Sequence, residues 1–279
     1  MEQLHSYLKR HGRAASPALD GICNQKDAHT TLLYWFTDLP AASAEAQRTQ
    51  RPILSLRLLG RLDEELSCAN SRFFRKLLYP DPRINQVLRQ DFVLHWESVR
   101  PVPKVTLDFG DGRRIERTLT GNSVHLVLDS KGRLVDALPG LFSPDVFLEL
   151  LARARAMALA DRRELARMHA ASARRPAFAP RRPVSRAVGA SMLAPTKHMV
   201  EMPVLRAVSI DVDGDTEQNI ALHRRVHEAF ANGTEWSGQG GFVEWIYAEL
   251  FLMPLGDPAL GLDIPDPFPP MPLFDFAPS

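Results

Sequence analysis

Residues Trp35 to Leu54 read W-F-T-D-L-P-A-A-S-A-E-A-Q-R-T-Q-R-P-I-L. Thr37 or Asp38 offers a side-chain oxygen where a helix must cap its unpaired N–H groups, and the alanine-rich run behind it favours helix. Pro52 ends that helix, because its ring removes a donor and drives the residue before it out of the helical region. From Pro52 to Gly60 the chain reads P-I-L-S-L-R-L-L-G, an apolar run that predicts a short buried strand. A helix feeding a buried strand is the beginning of an α/β unit.

The alternation continues downstream. A polar loop, R-L-D-E-E-L, leads into L-S-C-A-N-S-R-F-F at Leu66 to Phe74, after which Phe73, Phe74, Leu77 and Leu78 recur at helical spacing. Pro80 and Pro82 stop that helix. A further short helix, I-N-Q-V-L-R-Q, precedes the predicted strand F-V-L-H-W. Residues 105–120 alternate apolar and polar about Gly110-Asp111-Gly112, and V-H-L-V-L-D-S-K-G-R-L-V-D-A-L turns at Ser130 to Gly132, so two hairpins are expected. S-P-D-V-F-L-E-L-L then opens a helix with Ser143 as N-cap and Pro144 in the first turn. This order implies a sheet with at least one parallel pair.

The bulk composition sets outer bounds. A chain of 279 residues, 45% apolar and 24% charged, is expected to fold into one or two soluble domains. With 34 basic against 33 acidic residues the net charge is +1, so no global field favours nucleic acid or an acidic membrane. No run approaches the ~18 consecutive apolar residues of a membrane span, and the N-terminus has charges where a signal peptide needs its apolar stretch. The expected localisation is cytoplasmic. Cys23 and Cys68 are too few for a disulfide framework.

Residues 173–195 form an Arg/Pro-rich stretch that reads as a linker; R-R-P-A-F-A-P-R-R-P-V-S-R within it packs five arginines into thirteen residues. An RNA or phosphate contact there lacks support from the overall charge. Residues 196–279 read as a mostly helical region with a Pro-rich tail. D-T-E-Q-N-I-A-L-H-R-R-V-H-E-A-F and F-V-E-W-I-Y-A-E-L-F-L-M are its two amphipathic helices, the second apolar enough to be buried in a core or against a partner. His223 and His227 stand four apart on one helix face, a spacing metal sites use. Arg224 and Arg225 lie between them, so a solvated face is expected and no metal or other cofactor. D-V-D-G-D, Asp211 to Asp215, has its glycine too early for a calcium loop, and Asp215 is expected to cap the following helix.

From Trp35 to about Ala158 the chain resembles the thioredoxin-like superfamily, in which W-x-x-D-x-x-x-A-x-x-x-A precedes a K/R-P-x-L strand. C-A-N-S at the turn into a helix, the hairpin V-H-L-V-L-D-S-K-G-R-L-V-D-A-L and the helix S-P-D-V-F-L-E-L-L complete the likeness. It implies an α/β fold, a thioredoxin-like sheet flanked by helices, with a mostly helical C-terminal extension. The implied organisation is an N-terminal segment over 1–34, the domain over 35–172, and the linker and C-terminal region given above.

The resemblance also implies a site. Cys68 takes the position of the family's nucleophilic cysteine at a helix start, where free N–H groups favour a thiolate, and Ser71 takes that of the second cysteine. Arg72 and Arg75 are candidates for favouring that thiolate further. Asn122 and Ser123 stand where the family has a cis-proline that lines the substrate groove. The implied activity is monothiol thiol-disulfide exchange with a protein or low-molecular-weight thiol partner; the alternative is a non-catalytic binding or assembly module that keeps the fold without redox chemistry. His95, near the end of one predicted strand, and His125, at the start of another, are candidates to activate Cys68 as in Cys-His hydrolases.

Overall fold

The computed structural model describes residues 17–174 and 208–262. Helix α1 (Leu39–Thr49) starts where Asp38 accepts a hydrogen bond from the Ala41 N–H at 2.8 Å. It leads into strand β1 (Ile53–Leu59), which is buried at every residue. Helix α2 (Ala69–Phe73) continues through a π-helical turn over Phe74–Leu78, and α3 (Pro82–Asp91) follows, capped by Asp81. Then come β2 (Val93–Arg100), the hairpin β3 (Lys104–Asp108) and β4 (Arg114–Thr118), the hairpin β5 (Ser123–Leu128) and β6 (Leu134–Pro139), and α4 (Pro144–Leu159).

Four strands form a mixed sheet in the order β2-β1-β5-β6, with β3-β4 as a separate two-stranded sheet. β1 runs parallel to β2, from Ile53 opposite Val93, and antiparallel to β5, from Ile53 opposite Leu128; β5 and β6 are antiparallel. Helices flank this sheet. Its central strand is therefore buried on both faces, which is why β1 reads as a continuous apolar run rather than an alternating one.

Among the described residues, three further helices follow α4: α5 (Arg162–Ala173), α6 (Val208–Ala231) and α7 (Gly238–Trp245), the last running into a second π-helical turn over Ile246–Leu250. α6 packs on α5 and on β6. Phe242, Ile246, Tyr247 and Leu250 join the same apolar cluster as β1 and β5, so the C-terminal region shares its core with the sheet. Among the described residues no helix is long and apolar enough to cross a membrane.

Several expectations need correction. Part of the N-terminal segment packs on the sheet domain: the Trp35 indole donates to Gln25 Oε1 at 2.8 Å, and the Trp96 indole donates to the Asn24 carbonyl at 2.7 Å. α5, capped by Asp161, is a helix not expected from the sequence. Ser143 makes no side-chain cap; its N–H donates to Thr216 Oγ1 at 2.8 Å instead. α6 begins at Val208, so Asp211 to Asp215 is helical backbone and Asp215 is no cap. The linker beyond Arg174 and the tail beyond residue 262 lie outside the described residues.

Candidate functional site

Cys68 is the residue from which α2 starts, in extended backbone, with no side-chain cap hydrogen bond. Its N–H donates to the Leu59 carbonyl at 3.1 Å, which anchors the helix start to the end of β1. The side chain is fully buried, at 0% exposure. Gly121, in the turn before β5, lies against it: a Cβ at position 121 would sit 2.6 Å from the Cys68 Cβ. Only glycine permits that approach.

Ser71 is likewise buried, its Oγ donating to the Cys68 carbonyl at 2.8 Å and lying 2.6 Å from Ser67 Oγ. It faces this hydroxyl pair and the helix backbone. Asn122 Oδ1 accepts from Asn70 Nδ2 at 2.7 Å and from the Ser123 N–H at 2.9 Å, tying the first turn of α2 to the start of β5. Ser123 is buried with its Oγ unpartnered, and no described peptide bond is cis. The four residues implied as a site are thus brought to one corner.

A fifth residue closes that corner. Tyr247, in the π-helical turn after α7, donates its hydroxyl to the Asn122 carbonyl at 2.8 Å. Burial first, and Cys68 second, push its phenol and that of Tyr79 well above the ordinary value. The backbone carbonyl at the position implied for substrate is therefore already taken by the chain's own C-terminal region. Nothing in the spacing of the sequence ties Tyr247 to Asn122.

The candidate activators each have other partners. Arg75 pairs with Asp27 at 3.1 Å and donates to the Glu65 carbonyl, while Arg72 donates to Thr118 Oγ1 at 3.0 Å. His95 Nδ1 lies 2.7 Å from Ser55 Oγ, and His125 Nε2 lies 2.8 Å from the Tyr79 hydroxyl. Burial holds His95 down to about 4 and His125 to about 3, so both rings are neutral. Neither hydrogen-bonds Cys68.

A second cluster lies where β6 meets α5 and α6. His223 and His227 are buried, at 6% and 3% exposure, which overturns the expected solvated face. They meet Asp136 of β6, and the donor atoms of these three residues lie within 4.8 Å of one another, a grouping able to hold a metal ion. His169 of α5 adjoins His227. The i, i+4 histidine pair was the only trace of this cluster in the sequence.

No protein-family model matches this chain, and no curated protein matches it in sequence.

Proposed function

We propose that this chain is a thioredoxin-fold binding module, closed at its thiol corner by its own C-terminal region. A mixed sheet ordered β2-β1-β5-β6, with β5 antiparallel to its neighbours and a cysteine at the start of the helix after β1, supports the fold assignment. The observation that carries the functional reading is the Tyr247 hydroxyl on the Asn122 carbonyl beside a fully buried Cys68. A disulfide substrate needs access to the sulfur and to that backbone, and both are covered.

The binding surface in this reading is the β3-β4 hairpin. Val105, Leu107 and Phe109 are 41%, 52% and 53% exposed, and strand alternation puts them on one face. Cross-strand register adds Ile115 opposite Leu107 and Arg117 opposite Val105 to that face, and the Arg113 guanidinium lies 5.2 Å over the Phe109 ring. An apolar strip edged by two arginines fits a protein segment of apolar side chains bordered by Asp or Glu.

A second reading is monothiol exchange through Cys68, with Ser71 in the second position; the placement of Cys68 before α2 favours it. Native-state alkylation separates the two, with Cys23 replaced by serine. The binding-module reading expects Cys68 to resist a thiol reagent until denaturant unfolds the protein. Rapid modification of the folded protein, followed by a mixed disulfide with glutathione, would establish the exchange reading instead.

A further inference from the structure

His223 and His227 leave α6 on one face, and the arginines between them turn away: Arg224 Nε donates to Glu228 Oε1 at 2.8 Å and Arg225 Nη1 to the Glu249 carbonyl at 3.1 Å. The objection to a cation drawn from those arginines therefore does not apply. Toward the sheet, His223 Nε2 lies 3.0 and 3.1 Å from the two carboxylate oxygens of Asp136, and His227 Nδ1 lies 3.8 Å from Oδ1. On the other side His227 Nδ1 lies 2.9 Å from His169 Nδ1. All four side chains are buried.

We propose that Asp136, His223 and His227 form a buried site for one divalent transition-metal ion of the zinc class, with His169 packed against His227. Bonds of about 2.0–2.1 Å in tetrahedral geometry place neighbouring donors roughly 3.3 Å apart. The separations from Asp136 to His223 and His227, 3.0 and 3.8 Å, bracket that distance, and one donor atom from each of the three residues lies within 4.8 Å of the others. His169 and His227 meet through Nδ1 while the Nε2 atom of each is buried without a hydrogen-bond partner, so the network is not closed by protein groups alone. A buried carboxylate gains a counter-charge from a cation held by neighbouring ring lone pairs.

The donor set narrows the ion. Two imidazoles and one carboxylate suit zinc, nickel, iron or copper(II), whereas magnesium and calcium take all-oxygen sites, and a soft thiolate is absent. Three protein donors leave the fourth tetrahedral position open to a water or a further ligand. The ligands come from β6 and α6, so the ion fastens the C-terminal helix to the sheet.

The test uses the full chain made without a histidine tag, loaded with zinc and dialysed into metal-free buffer. One zinc per chain is expected by elemental analysis, and cobalt(II) in its place should give the strong visible bands of tetrahedral coordination. Asp136→Asn with His227→Ala should weaken zinc binding about 10-fold or more, while Arg224→Ala keeps one zinc per chain. Should the double variant not fold, chelation of the unaltered protein decides: its melting midpoint falls with EDTA and returns with zinc. A chain that retains no zinc after dialysis, a weak octahedral cobalt spectrum, a melting midpoint indifferent to chelator, or full metal content in the folded double variant would overturn the proposal.

Discussion

At Cys68 the decisive neighbour is Gly121. Because a Cβ there would come within 2.6 Å of the Cys68 Cβ and 3.3 Å of its Cα, Gly121→Ala must push apart the start of α2 and the turn before β5. We expect a loss of about 1–3 kcal/mol, read as a lower urea midpoint. The buried histidines make a second prediction. Unfolded, His95 and His125 titrate near 6.5; folded, burial holds them at about 4 and about 3. Between those limits the unfolded chain binds more protons, so their stability contribution is complete above pH ~6.5 and is lost as the pH falls toward the folded values. Each group adds a slope of roughly 1 kcal/mol per pH unit, and burial lowers His169 and His227 in the same direction. Urea midpoints should fall steadily from pH 7 to pH 5; a level profile would contradict the burial of these rings.

Among the elements, the β3-β4 hairpin contributes least to the core. Every residue of β3 is exposed, and the hairpin's two strands pair only with each other. Leu107→Asp with Phe109→Asp should therefore shift the urea midpoint by less than about 0.5 kcal/mol equivalent, the scale of surface changes. The same variant should abolish association with an acidic, apolar peptide that binds the unaltered chain, measured by titration calorimetry. A large loss of stability would show that the hairpin belongs to the core. The two π-helical turns, Phe74–Leu78 and Ile246–Leu250, stand in contrast, since both bury aromatic side chains, Phe74 and Tyr247, in the core.

For the whole molecule, one apolar cluster runs from Leu33 and Trp35 through the sheet to Ile246, Tyr247 and Leu250. A chain ended after Ala173 would uncover that face of the sheet and leave the Asp136 carboxylate without His223. We expect such a fragment to lack a cooperative thermal transition by circular dichroism. Cooperative melting at the full chain's midpoint would mean that the C-terminal helices are an independent unit.

What the sequence alone determined is local. A cap at Thr37 or Asp38 starts α1, Pro52 separates it from β1, and a turn at Ser130 to Gly132 leads into β6; the structure selects Asp38 and adds Asp129, which accepts the Lys131 and Arg133 N–H groups at 2.9 Å, with Gly132 at φ +83°. Caps, turns and periodicity act over a few residues, so the order of helices and strands was legible, as was burial of the last apolar helix. Tertiary structure alone decided that Tyr247 covers Asn122, that Gly121 touches Cys68, and that Asp136 and His169 join His223 and His227. The physical reason is that each of these contacts is fixed by how element faces pack across long chain separations. Periodicity marks a residue's side of a helix or strand; the docking of α6 and α7 on the sheet determines which residues it meets there.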